Sequence, residues 1–128
     1  MMVFDASAIY AALSRNETKC LSGQCTAILA AYELGNIVWK NTVLRKVFSC
    51  DEAQGFAKVC QAMLEKMRVF SPSLENIMPI ATRLHISFYD AAYVFLAIEL
   101  KAPLVTIDKA LSHKVHTLVK IISFDDLP

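Results

Sequence analysis

Two short apolar runs, each ending in an aspartate, constrain this chain more than any other feature. Residues 2–4 lead into Asp5, and residues 103–107 lead into Asp108. Both runs are rich in β-branched or aromatic residues and too short for helices. Neither alternates polar with apolar, which is the pattern of strands buried on both faces. Residues 120–124, with Ile121, Ile122 and Phe124, read as a third strand, and a further short one is expected near Val69 and Phe70. Between them the apolar period is helical. Residues 6–14 follow Asp5 as a compact helix, and residues 26–41 carry Leu29, Tyr32, Ile37 and Trp39 at helical spacing, with Gly35 weakening the pattern. Ser49 and Glu52 form a capping box for a long helix with Phe56, Val59, Cys60, Met63 and Met67 on one face. Ser71-Pro72-Ser73 opens the next helix, to about His85, and Ser87 opens another, to about Lys101. Strands alternating with helices predict one α/β domain over residues 1–128, a three-layer sandwich with a central, mainly parallel sheet flanked by helices.

Several function classes are excluded at once. Gly23, Gly35 and Gly55 match neither a Walker loop nor a dinucleotide fingerprint. The longest apolar run, residues 91–98 between Asp90 and Glu99, is far short of the roughly 20 residues that cross a bilayer. An acid stands at position 5, where an export signal wants a basic and then a long apolar segment, so a cytoplasmic address is expected. Cys20, Cys25, Cys50 and Cys60 lack the paired spacing of a zinc site and are expected as buried thiols. A Cys20–Cys25 disulfide is the alternative if the source is a hyperthermophile. The hydrophobic fraction, 55% with mean hydropathy +0.42, exceeds what a core of this size needs and leaves apolar surface for an oligomer or partner.

The acids carry the chemistry. Ligands in open α/β sheets gather beyond the carboxyl ends of the strands, where Asp5 and Asp108 stand. Either is equally explained as the N-cap of a following helix. Glu33 is harder to explain away, because Leu29, Ala30 and Ile37 at helical spacing put it on an apolar stripe. A carboxylate there needs a cation, a hydrogen-bond donor or a raised pKa, and Asn36 one turn on is a candidate donor. Asp90 occupies the third position of a helix opened by Ser87, which a capping box accounts for, but a helix N-terminus also favours an anionic phosphate. An α/β fold can bring all four acids to one end of its sheet. Carboxylates packed within about 4–6 Å raise each other's pKa, so such a cluster is stable mainly when divalent cations neutralise it. Oxygen-only ligands select Mg²⁺ or Mn²⁺ over zinc.

Four segments, Asp5-Ala6-Ser7-Ala8, residues 32–40 from Tyr32-Glu33 to Trp39-Lys40, Tyr89-Asp90-Ala91-Ala92-Tyr93 and Thr106-Ile107-Asp108, resemble the signature segments of PIN-domain proteins. The likeness is nearest to the VapC-type toxins of prokaryotic toxin–antitoxin pairs, and it runs in order from Val3 to about Phe124. The resemblance implies a PIN-like fold and a Mg²⁺-dependent endoribonuclease leaving a 5′-phosphate and a 3′-hydroxyl. It implies catalytic, metal-binding roles for Asp5, Glu33, Asp90 and Asp108, with Ser7 and Thr106 as polar supports. It also implies a homodimer and an antitoxin protein packing near the acids, for which the Met63 and Met67 stripe offers surface if it is not ordinary core.

The chain carries 13 Lys and Arg against 12 Asp and Glu, and committing four acids to metal leaves a basic excess suited to RNA. Lys40, Arg45, Lys46, Lys109 and Lys114 lie near the acids in sequence and are the candidate phosphate contacts, with a solvated helix rim the alternative. His85, His113 and His116 have no ligand spacing. Two rivals keep the fold, a PIN nuclease of RNA processing or decay without a toxin role and a catalytically silent interaction domain, and a third comes from another class, a phosphoryl-accepting α/β signalling domain. The phosphoryl acceptor wants paired acids after its first strand, whereas here Asp5 is followed by Ala6 and Ser7.

Overall fold

A computed structural model describes residues 1–127 and contains five strands and six α-helices among them. In chain order these are β1 (Val3–Phe4), α1 (Ala6–Ser14), β2 (Cys25–Ala27), α2 (Ala30–Trp39), α3 (Cys50–Glu65), β3 (Arg68–Phe70), α4 (Leu74–Leu84), α5 (Phe88–Leu100), β4 (Leu104–Thr106), α6 (Lys109–Val115) and β5 (Ile121–Ser123). All strand pairings are parallel and the spatial order is β3-β2-β1-β4-β5. The expected parallel α/β sandwich is therefore observed.

Chain direction across the sheet decides where a crevice opens. From β1 the chain steps outward through β2 to β3, then returns to lay β4 on the other side of β1 and continues to β5. Right-handed crossovers consequently put α1, α2 and α3 on one face and α4, α5 and α6 on the other. The observed packing agrees, with α1 against α2, α2 against α3, and α4 against α5, which lies across β1, β2 and β4. The connections diverge between β1 and β4, and the carboxyl ends of those two strands form the topological switch point.

β1 is only two residues long, yet both are fully buried and the strand pairs on both sides, Val3 with Cys25 and Leu104, Phe4 with Val105. α1 meets the sheet through Ala6, Ala8, Ala11 and Ala12, whose small side chains permit close approach, with Ile9 filling the gap. α5 buries Ala91, Ala92, Tyr93, Val94, Leu96 and Ala97, since it is covered by the sheet and by α4.

Two expectations need correction, the start of the second helix and the burial of all four thiols, and the methionine stripe takes the core role favoured for it. The helical reading of residues 26–41 begins too early: Cys25–Ala27 is strand β2, and Thr26 Oγ1 donates to the Phe4 carbonyl at 2.8 Å inside the sheet. Pairing with β1 and β3 outweighs the helical period there, as tertiary context routinely does. The methionine stripe is core, because Met63 and Met67 are each 7% exposed and pack in the main cluster. It therefore offers no docking surface. Of the thiols, Cys25 and Cys60 are buried, whereas Cys50 at the first turn of α3 is exposed and Cys20 is half-buried, and all four are free. Among the described residues no helix is long and apolar enough to cross a membrane.

Candidate active site

Asp5 is the first residue after β1 and the N-cap of α1. Its Oδ1 accepts from the Ala8 amide at 2.9 Å and from the Ser7 hydroxyl at 2.6 Å, and the residue is 5% exposed. The Ser7 hydroxyl lies 3.4 Å from Thr106 Oγ1 and also accepts from the Ile107 amide. Thr106 Oγ1 accepts from the Asp108 amide at 3.0 Å, and Asp108 Oδ1 caps α6 by accepting from the Leu111 amide at 3.0 Å. One polar chain thus laces the ends of β1 and β4 together across the switch point. Ser7 and Thr106 stand where polar supports were expected. β4 ends at Thr106, so Asp108 is the second residue beyond the strand rather than the first.

Glu33 and Asp90 arrive from the two helical layers. Glu33 is half-buried on α2, and its Oε1 accepts from the Tyr93 hydroxyl at 2.7 Å. The expected donor, Asn36, lies on the pocket wall instead, because Asn36 and Glu33 project the same way from α2 while Tyr93 faces them from α5. The sequence held a signal for this pairing: Tyr93 stands one helical turn after Asp90, on the same side of α5. Asp90 donates its amide to the Ser87 hydroxyl at 3.0 Å. The reciprocal bond, which Glu52 makes to the Ser49 amide at 3.0 Å, is not made by Asp90, so the capping box is only half formed there. A cap alone does not account for that carboxylate.

All four acids line one pocket of about 260 Å³, together with Ser7, Asn36, Lys40 and Tyr93. A wider cavity of about 740 Å³, between Arg15–Cys20 and the Phe124–Leu127 segment, contains none of them. Chemistry rather than size therefore singles out the smaller one. Burial pushes the Asp5 carboxyl up, against the hydrogen bonds from Ser7, Thr106 and Ala8, with the Asp90 charge adding to the rise. Glu33 is raised by burial and by the charges of Asp90 and Asp5, while the Tyr93 bond opposes the shift. Asp90 is raised by burial and by Asp108, with Ser87 and Lys114 pulling the other way. Burial first, then the Glu33 charge, raises the Tyr93 phenol and keeps it a donor.

These residues fit a hard divalent cation. Acids that raise one another in a half-dry pocket are relieved by a cation, and the lining offers oxygen donors with no imidazole or thiol. Among the described residues no three His, Cys, Asp or Glu side chains are gathered tightly enough to hold an ion as they stand. Asp5 is buried, Glu33 and Asp90 are half-buried and Asp108 is exposed.

A carboxyl raised above its unfolded value opposes folding while ionised, and the opposition fades as pH falls through the raised value. Without divalent ions, Asp90→Asn is expected to melt a few degrees above the wild type at pH 7.5, with the gap closing toward pH 4. Calorimetric scans across that range check this, and a variant that melts lower at pH 7.5 contradicts the repulsion.

The candidate phosphate contacts separate in space. Lys40 lines the pocket, and Lys114 lies near enough to lower the Asp90 carboxyl while its Nζ reaches the His85 carbonyl. Arg45, Lys46 and Lys109 are not among the lining residues, and Arg45 donates to Asn41 instead. α2 continues into a π-helical turn, Lys40–Leu44, of which only Lys40 is among the residues lining the pocket.

No family model matches the chain. It is 33% identical over 96 residues to Ribonuclease VapC3 of Pyrobaculum aerophilum, covering 73% of this chain and 72% of that protein. It is 30% identical over 120 residues to Exonuclease VapC9 of the same organism, covering 91% and 87%. Among solved structures, a Pyrobaculum aerophilum protein superposes with TM-score 0.78 at 26% identity, covering 97% of this chain and 90% of its own. A toxin–antitoxin complex from Klebsiella pneumoniae superposes with TM-score 0.70 at 11% identity, covering 99% and 100%. At that identity the likeness speaks to the fold alone.

Proposed function

This chain belongs to the VapC-type family of PIN-domain proteins, and from that premise we propose that it is a Mg²⁺-dependent endoribonuclease, the toxin of a toxin–antitoxin pair. The observation that carries the reading is the meeting of Asp5, Glu33, Asp90 and Asp108 at the β1/β4 switch point, from four separate elements. Two relatives are named as a ribonuclease and an exonuclease, which supports phosphodiester hydrolysis here.

In this reading the four carboxylates hold one or two Mg²⁺ or Mn²⁺ ions. Such ions, when bound, supply an acidified water and neutralise charge on the leaving oxygen. Asp5 contributes a rigid oxygen, since Ser7 and Ala8 hold its carboxylate in place. Thr106 fixes the backbone that presents Asp108. Lys40 orients an RNA phosphate at the mouth of the pocket, with Lys114 behind Asp90. Exposed Tyr32, Trp39, Leu44 and Val47 along α2 and the segment after it support an apolar interface for an antitoxin or a second copy of the chain. A cytoplasmic address belongs to the same proposal.

The exonuclease-named relative favours a second reading, cleavage from RNA ends in processing or decay. A circular single-stranded RNA separates the two. The endoribonuclease reading expects circles to be opened with Mg²⁺ or Mn²⁺, to survive in EDTA, and to yield 5′-phosphate and 3′-hydroxyl ends. Circles left intact while linear RNA shortens would establish the second reading. A stable phosphoaspartate after incubation with a small phosphodonor, without RNA cleavage, would favour the phosphoryl-accepting alternative.

A further inference from the structure

Tyr93 is 1% exposed, and its hydroxyl makes the only hydrogen bond to the Glu33 carboxylate among the described residues. We propose that Tyr93 is a positioning residue that occupies one oxygen of Glu33, leaves the other to a metal ion, and so makes the pocket favour small octahedral ions such as Mg²⁺ and Mn²⁺ over Ca²⁺. This rests on the reading of the pocket as a divalent-ion site.

Glu33 and Tyr93 stand on opposite helical layers, α2 and α5, and their 2.7 Å bond crosses between them beside the pocket. The phenol ring is locked in the core cluster, so its hydroxyl is a fixed donor. A carboxylate with one oxygen committed to a fixed donor keeps a lone pair there, but that oxygen is oriented and weakened as a metal ligand, which biases the group toward one-oxygen ligation through the other. Ca²⁺ takes six to eight oxygens and readily uses both oxygens of a carboxylate, whereas Mg²⁺ keeps a strict octahedron built from single oxygens. Groups that orient metal ligands typically change metal affinity by about 10- to 100-fold when removed.

The test is calorimetric titration of the intact protein with Mn²⁺ and, separately, with Ca²⁺, for the wild type and Tyr93→Phe, in the absence of RNA. The expected result is that Tyr93→Phe narrows the preference for Mn²⁺ over Ca²⁺ by ~10-fold. An unchanged ratio overturns the inference, whether both affinities fall together or neither moves, since a packing role alone would affect the ions alike. If the wild type binds neither ion, or binds them as well after Asp5→Asn, the metal-site reading fails and takes this inference with it. Should Tyr93→Phe not fold, infrared spectra of the wild type with Mn²⁺, taken against Glu33→Gln, decide the matter. Widely split carboxylate stretches are expected for a one-oxygen ligand, and the narrow splitting of a two-oxygen ligand overturns the proposal.

Discussion

Asp5→Asn is expected to slow Mg²⁺-dependent cleavage of single-stranded RNA on the order of 10³-fold while leaving the fold intact. The substitution keeps the cap, because asparagine caps a helix about as well as aspartate and its carbonyl oxygen can still accept from Ala8 and Ser7. What it removes is the negative charge of the most buried of the four acids, directly beyond β1. Burial already opposes that charge, so its loss does not weaken the fold and the effect falls on the chemistry. A loss of this size is about 4 kcal/mol of transition-state stabilisation, which is large for one side chain and reasonable for a buried ligand. Single-turnover cleavage with melting scans on the same samples checks it. Full activity in a folded Asp5→Asn protein would remove Asp5 from the machinery and with it the proposed mechanism.

The second large effect is on stability. Phe4→Ala is expected to destabilise the protein by about 3–5 kcal/mol, through lost burial and the cavity left in the sheet. Phe4 is fully buried in the two-residue strand on which β2 and β4 both pair, so its neighbours cannot collapse into the gap without breaking a ladder. At this chain length the melting temperature should drop by ~15 °C. Denaturant titration or calorimetry measures it. A drop of only a degree or two would mean that the centre of the sheet is loosely packed. Because Asp5 is the next residue, cleavage by the surviving folded fraction should fall as well.

Much of the site was legible before any coordinates. The four acids stood out because strand ends and helix starts are local patterns, and Glu33 stood out because a charge on an apolar stripe needs a partner. Its actual partner carried only an indirect signal, its place one helical turn after Asp90. Asn36 is nearer in sequence, but Tyr93 arrives from the other helical layer, and nothing local to Glu33 marks it. The basic residues show the same division. Lys40 reaches the pocket, whereas Arg45 and Lys46 follow a turn whose direction the charge pattern does not encode.

Alone, the sequence determined the α/β class, the strands leading to Asp5 and Asp108 and the helix caps, and it singled out four acids, since these depend on residues within a turn or two of one another. The tertiary structure decided that residues 25–27 join the sheet, that Met63 and Met67 go inside, and that β1 and β4 are neighbours whose ends form the pocket. The physical reason is range. Periodicity and capping are energies of adjacent residues, whereas strand pairing, burial and mutual repulsion of carboxylates exist only once distant segments have met.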